Sequence, residues 1–208
     1  MKQFKTKTLI AILTIAIILL IPIAALAADP PAPVAKTSKP KPDCPTFTDA
    51  SSGITMACPD GWVFMKPSEV REKTNGQLQV SSNTLVFCVN SSNPDQNINV
   101  RYTGDASSEA PSNEAAKEFL SSLEGNLTNN MQRNGFKKES SCMTEVGGGI
   151  ALELFFLASR GQTAMKQRSI LLISKSKGFS ITCTAPQSLF NSTNSTVFDA
   201  FVSSIIVR

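Results

Sequence analysis

The chain has 208 residues, with 20 basic and 16 acidic side chains and no histidine. Three of the lysines lie in the first ten residues, and the remaining charges are nearly balanced. The chain therefore lacks the concentrated basic surface of a nucleic-acid-binding protein, and we expect no nucleic acid among its partners. Without imidazole it cannot build a Ser-His-Asp or Cys-His catalytic device. Because zinc-type ligand spacing is also absent, we predict no metal site, no cofactor and no catalytic residue.

Residues 1–28 have the pattern of a secretory signal peptide. Basic residues precede an uncharged apolar run over residues 9–21, Pro22 interrupts it, and Ala25-Leu26-Ala27 has the small-x-small pattern of a signal-peptidase site. The alternative is an uncleaved membrane anchor over residues 9–28, a length just sufficient to span a bilayer. We expect cleavage, and so a protein exported to the periplasm, the cell surface or the medium. It would contact a membrane only if this segment were retained.

The segment that follows, residues 29–43, is rich in proline and lysine and has no aromatic residue. Such a composition buries too little apolar surface to fold, so we predict a flexible linker. The remaining residues, 44–208, suffice for one hydrophobic core but hardly for two. We therefore predict a single domain over residues 44–208.

The first strands are predicted around the only tryptophan. Ile54, Met56 and Cys58 alternate with smaller residues, Pro59-Asp60-Gly61 has turn chemistry, and Trp62 begins a second apolar run, which together predict a β-hairpin. Because a lone tryptophan beside a turn and apolar neighbours is usually buried, we expect Trp62 to be a structural anchor rather than a ligand-stacking residue. Further strands are predicted within residues 76–90 and 97–102.

A long helix is the clearest element of the chain. Ser112 is a suitable N-cap, and Asn134-Gly135 supplies a left-handed stop. Between them, apolar residues fall at helical spacing and form one stripe. The stripe comprises Ala116, Phe119, Leu120, Leu123, Leu127 and Met131.

A meander of strands follows the helix. Gly147-Gly148-Gly149 is expected to be a hairpin turn, because a strand rather than a helix comes next, unlike in a phosphate-binding loop. A short C-terminal helix is predicted at about residues 195–204. Strands in meander order around a long helix indicate an α+β domain, in which helices flank an antiparallel sheet. The four meander strands are predicted at residues 136–146, 150–158, 165–174 and 179–184.

The order of these elements resembles the PsbP-like superfamily, which also includes the Ran-binding Mog proteins and the bacterial exported DcrB-like proteins. The resemblance is carried by Pro59-Asp60-Gly61-Trp62, by the meander over residues 136–185 and by the final segment Phe198–Ile206, and it covers nearly all of residues 44–208. It implies an α/β/α sandwich around an antiparallel sheet, used mainly for binding or assembly. It implies no shared catalytic residues.

All five cysteines follow the predicted signal peptide, so structural disulfides are expected in an oxidising compartment. The sequence leaves the pairing open. Five cysteines allow two bonds with one residue left over. We favour Cys58 with Cys88, which share the N-terminal strand region, and after it Cys142 with Cys183, although a strict meander would separate their strands. A reactive thiol is less favoured, since no Cys-x-x-Cys pair is present and no basic residue adjoins Cys58.

We interpret the chain as an exported, non-enzymatic binding or assembly module of the bacterial cell envelope, with an unidentified protein or envelope partner. One alternative is a small carboxylate enzyme acting on cell-wall material, for which Glu145 and Glu153 are the candidates by position. Another is an envelope component anchored by residues 9–28. The basic residues Lys166 and Arg168 are interpreted as a solvated strand edge, with contact to anionic lipid or a partner as the alternative.

Overall fold

The computed structural model describes residues 44–73, 80–105, 111–160 and 163–208. The predicted signal peptide and linker, residues 1–43, lie outside these ranges, as do residues 76–79 of the predicted strand region 76–90. Within the described ranges, no helix combines the length and the apolar character needed to cross a membrane.

In these described residues, ten strands form two antiparallel sheets. Strands β1, β2 and β10 make a small sheet in the order β1-β2-β10, and the others make a seven-stranded main sheet in the order β3-β4-β5-β9-β8-β7-β6. The strands are β1 (Thr46–Asp49), β2 (Ile54–Ala57), β3 (Trp62–Met65), β4 (Thr84–Asn90), β5 (Asn97–Asp105), β6 (Lys137–Val146), β7 (Gly149–Arg160), β8 (Thr163–Ser174), β9 (Lys177–Pro186) and β10 (Ile206–Val207).

The long helix begins and ends where its sequence predicts. Ser112 is the N-cap, and its side-chain oxygen accepts a hydrogen bond of 3.2 Å from the Ala115 N–H. The C-terminal helix, in contrast, begins at Gln187 rather than near Ser195, and a short helix after β3 has no counterpart in the prediction. The helices are α1 (Pro67–Lys73), α2 (Asn113–Arg133), α3 (Gln187–Thr193) and α4 (Asp199–Ser203), with a π-helical turn (Asn194–Phe198) between α3 and α4.

The main sheet separates two hydrophobic clusters. One lies under α2, where Leu120 and Met131 meet Leu154 and Phe156 of β7. The other, larger cluster joins the opposite face of the sheet to the C-terminal helical segments and to the small sheet. The architecture is therefore α+β, with helices on both faces of an antiparallel sheet, in agreement with the predicted fold class.

The predicted hairpin at Pro59-Asp60-Gly61 is wrong, because β2 and β3 belong to different sheets. Strand β2 pairs with β1 and β10, whereas β3 pairs with β4. The turn nevertheless has the expected chemistry, since Gly61 has a φ of +76°, which favours glycine. The stretch is a corner that passes the chain from the small sheet to the main sheet.

Trp62 anchors this corner in the larger cluster. Its side chain is 5% exposed, and its ring meets the Phe198 ring edge-on, with 6.0 Å between centroids. Aromatic pairs of this geometry stabilise a core beyond the area that they bury. The structure thus places Trp62 in the interior, as expected for a structural anchor.

Candidate functional site

The most highly charged part of the interior surrounds Arg168 on β8. This residue lies opposite Phe155 of β7 and Cys183 of β9, on the face of the main sheet that carries the larger cluster. Its Nη2 donates to Glu153 Oε1 at 2.8 Å, and its Nη1 donates to Asp199 Oδ1 at 2.6 Å. Arg168 and Glu153 are each 7% exposed, so the pair is largely removed from solvent.

The π-helical turn brings two polar side chains to this guanidinium. Besides Asp199, Asn194 accepts from Arg168 Nη1 at 3.2 Å. Residues five apart in an α-helix project about 140° from each other. In the π turn, the Asp199 N–H bonds to the Asn194 carbonyl, so the two residues stack on one side of the helix. The turn therefore allows both side chains to bind Arg168.

Two carboxylates hold the Arg168 guanidinium, although its buried Nε has no hydrogen-bond partner in the described part of the chain. Burial lowers the pKa of Arg168, but the hydrogen bond and charge of Glu153, together with Asp199, outweigh burial and raise the pKa above its ordinary value. A guanidinium already held by two carboxylates has little capacity left to bind an anion, and Glu153 is engaged as its counter-ion. The arrangement ties β7 and β8 to the C-terminal helical segments.

Glu145 and Glu153, the two carboxylates considered for catalysis, do not face one cleft. Glu145 lies opposite Ile150, which packs in the cluster under α2, and it is exposed. Glu153 lies on β7, three residues after Ile150. Because side chains alternate between the two faces of a strand, Glu153 projects from the face opposite to that of Ile150 and Glu145. The two carboxyl groups therefore cannot act on one substrate bond, and the structure does not favour this pair as an active site.

The cysteines are divided between one disulfide and separate thiols. Cys58 and Cys88 form a disulfide bond that links the corner after β2 to β4 of the main sheet. Cys142 and Cys183 are both free, and the second pairing is absent because β7 and β8 lie between their strands. Cys142 is exposed on β6, whereas Cys183 is buried on β9.

The thiols of Cys142 and Cys183 are expected to differ sharply in reactivity. Burial raises the pKa of Cys183 to about 12, although Arg168 opposes the shift. Alkylation requires the thiolate, so Cys183 should resist iodoacetamide at pH 8 until the protein unfolds, while Cys142 reacts in the folded state. Peptide mass spectrometry after timed alkylation measures the fraction of each thiol that has reacted. The Cys142→Ser variant is the control that identifies the signal from Cys142. Equal labelling of both residues in the folded protein would contradict this expectation.

Lys166 and Arg168 do not form the solvated strand edge that the sequence suggests, because β8 lies between β7 and β9. Lys166 pairs with Glu139 at 2.7 Å and lies over the Phe190 ring, 5.2 Å from its centroid. Both basic side chains thus have partners within the domain. Contact of either side chain with anionic lipid would therefore compete with these ion pairs.

A layer of uncharged polar side chains crosses β5, β9 and β8 on the face that also carries α2. Asn99 lies opposite Thr182, which lies opposite Ser169, and Gln167 donates to Ser169 at 2.7 Å. These four side chains are between 4% and 7% exposed. They are too deeply buried to contact a ligand in this conformation. We therefore interpret this layer, which the sequence patterns did not indicate, as part of the interior.

The open end of the main sheet is β6. It contains ten residues, whereas the other strands that end a sheet, β1, β3 and β10, contain four, four and two. Natural proteins usually keep edge strands short, because their unpaired backbone groups invite another strand. Ser140 and Cys142 are exposed on this strand. Within the described ranges, β6 is therefore the longest backbone edge that remains available to a partner.

No group of three or more cysteine, aspartate or glutamate residues in the described part of the chain is arranged to hold a metal ion. Among the thiols outside the disulfide, Cys44 is partly exposed and Cys142 is exposed. Cys142 lies opposite Glu153 of β7, whose carboxylate is bound to Arg168.

Comparison with known proteins identifies the fold. No protein-family model and no curated protein sequence matches the chain. The solution structure of cyanobacterial PsbP (CyanoP) from Synechocystis sp. PCC 6803 is similar, with a TM-score of 0.51 and 15% identity, over 85% of this chain and 100% of that one. A crystal structure from Bacteroides thetaiotaomicron has a TM-score of 0.50 and 10% identity, over 78% of this chain and 48% of that one. The chain therefore has the PsbP-like fold.

Proposed function

We propose that this protein is an exported, non-enzymatic binding or assembly module of the bacterial cell envelope. The observation that carries the proposal is a contrast between its interior and its edge. The buried charges around Arg168 are neutralised within the domain, whereas β6 presents ten residues of backbone that no other strand of the described ranges pairs with on one side. Such an edge is suited to binding another chain by strand addition.

The N-terminal pattern supports the location. A signal peptide over residues 1–28 and a proline-rich linker over residues 29–43 would deliver the domain across the membrane and hold it away from any attachment point. The disulfide between Cys58 and Cys88 suits an oxidising compartment. N-terminal sequencing of the protein recovered from cells separates a cleaved, exported form from one that retains residues 9–28 as an anchor.

Site-specific photo-crosslinking in the cells that make the protein tests the role of β6. A photo-reactive amino acid at Ser140 on β6 is compared with one at Ser121, which is exposed on α2. We expect crosslinked adducts from position 140 and few from position 121. Equal adducts at both positions would count against an assembly role for the edge.

An activity assay addresses the enzymatic alternative directly. We expect no turnover of ester, peptide or glycan substrates by the purified protein. Hydrolysis that disappeared in Glu153→Gln or Glu145→Gln, while the variant stayed folded, would replace the binding module with a carboxylate enzyme. Those two substitutions affect opposite faces of the sheet, so each serves as the control for the other.

A further inference from the structure

The edge strand β6 has a symmetric way to pair with itself. When two antiparallel strands are related by a two-fold axis perpendicular to the sheet, each side chain faces one on the same face of the joined sheet. A register centred on Cys142 places Ser140 opposite Thr144 of the second copy. This register keeps the uncharged residues 140–144 of both copies together and stays within the bounds of β6.

The charges at the two ends of β6 complement each other in this register. Lys137 and Lys138 lie at its beginning, and Glu145 lies near its end. Lys138 bonds to Glu124 of α2, so it lies on the α2 face, the face to which Glu145 also belongs. Antiparallel pairing brings Lys138 of one copy close to Glu145 of the other copy on this face. The attraction between these opposite charges favours pairing of the two strands.

The other acidic side chain of β6 does not oppose this pairing. The register of β6 against β7 shifts between Lys138 and Ser140, which leaves Glu139 in a bulge. Its carboxylate is bound to Lys166 at 2.7 Å, and Lys166 lies over Phe155 and Phe190 of the larger cluster, on the face opposite α2. Glu139 and Glu145 of the second copy therefore project to opposite faces, and their charges are kept apart.

We infer that the partner of β6 is the β6 strand of a second copy of this chain, paired antiparallel about Cys142. The inference rests on the proposed assembly function and names its partner. In this dimer the two Cys142 residues face each other, with Cα atoms about 4.5–5.5 Å apart, which lies within the range of a disulfide bond. Oxidised glutathione can therefore join them by two thiol–disulfide exchanges. The S–S bond of glutathione breaks and one S–S bond forms between the two Cys142 sulfurs, and the two electrons and two protons lost by the two thiols leave on two molecules of reduced glutathione.

The full chain, as the host exports and processes it, is the material for the test. Light scattering after size exclusion in the presence of reductant is expected to give about twice the monomer mass. Oxidised glutathione is then expected to produce a covalent dimer on non-reducing gels, and Cys142→Ser should abolish it. Cys44→Ser is the matched cysteine control and should leave the covalent dimer intact.

A lysine pair tests the edge itself. Ser140→Lys with Thr144→Lys places like charges opposite each other at both ends of the register, and we expect loss of the dimer peak and of the crosslink. Ser121→Lys with Asn129→Lys adds the same charge to exposed positions of α2 and should preserve both.

Three outcomes would overturn self-pairing: a monomeric mass with reductant, a crosslink formed through Cys44, or a dimer indifferent to the lysines on β6. Adducts from position 140 to a different envelope protein would also overturn self-pairing, while leaving the assembly function in place. The absence of any adduct from position 140 would instead remove both.

Discussion

Replacement of Arg168 by alanine is expected to lower the free energy of unfolding by about 3–5 kcal/mol. The substitution leaves Glu153, 7% exposed, without the guanidinium that neutralises it, and removes the contact that joins β8 to Asp199. Because domains are stable by only about 5–15 kcal/mol, this loss is a large fraction of the total. Urea unfolding followed by circular dichroism measures the change.

Two matched variants separate the ion pair from general disruption of β8. Lys166→Ala removes a cation from the same strand, but its pair with Glu139 is more exposed, so we expect a cost of about 1 kcal/mol or less. Replacing Arg168 by Met together with Glu153 by Leu removes both charges and keeps most of the volume. That double variant should recover most of the stability that Arg168→Ala loses. A small effect of Arg168→Ala alone would show that Glu153 is not held by this pair.

Loss of the disulfide is the second large effect that we expect. Cys58 and Cys88 are 30 residues apart in sequence, and closing a loop of that length in the unfolded chain contributes about 3–4 kcal/mol of stability in the chain-entropy description. Cys58→Ala with Cys88→Ala should lower stability by about that amount. Urea unfolding should also show a larger m value, because the unfolded chain without the crosslink exposes more surface.

Cys142→Ser is the control for the disulfide variant, since Cys142 is exposed and unbonded. Its free energy of unfolding should lie within about 0.5 kcal/mol of that of the unaltered protein, provided that Cys142 of the unaltered protein is kept as the reduced thiol. If the double alanine variant matched this control, the Cys58–Cys88 bond would be stabilising neither the corner nor its junction with β4.

The elements that sequence patterns located well are those whose causes are local. The capping side chain of Ser112, the apolar stripe of α2 and the glycine turn after β6 act over a few residues, so they can be read without knowledge of distant neighbours. The same holds for the strand at Ile54–Ala57 and the buried Trp62. Each of these depends on short-range spacing and residue type.

The Arg168 network shows where local patterns cease to suffice. In the sequence, Arg168 belongs to a short basic run, and nothing nearby marks it as buried. Its partners are 15 residues earlier on β7 and 31 residues later after the π turn. Only the order of strands in the sheet, with β8 between β7 and β9, removes the side chain from solvent. The same order separates Cys142 from Cys183.

The small sheet was not predicted for a similar reason, because its pairing depends on residues far apart in the chain. Strand β10 is two residues long, and it pairs with β2, which lies almost the whole length of the domain away in sequence. Such a strand has too few residues to show a periodic pattern, so its pairing cannot be anticipated. The assignment of β2 to this sheet is also what turned the predicted hairpin at Pro59-Asp60-Gly61 into a corner.

The sequence by itself determined the α+β class, the position of α2 and its caps, and the burial of Trp62. It did so because spacing, capping and turn chemistry act between near neighbours. Only the tertiary structure decided which strands share a sheet, which carboxylates meet Arg168, and that β6 ends the main sheet as a long open edge. Those properties depend on contacts between residues far apart in the chain, whose formation is set by packing of the whole core.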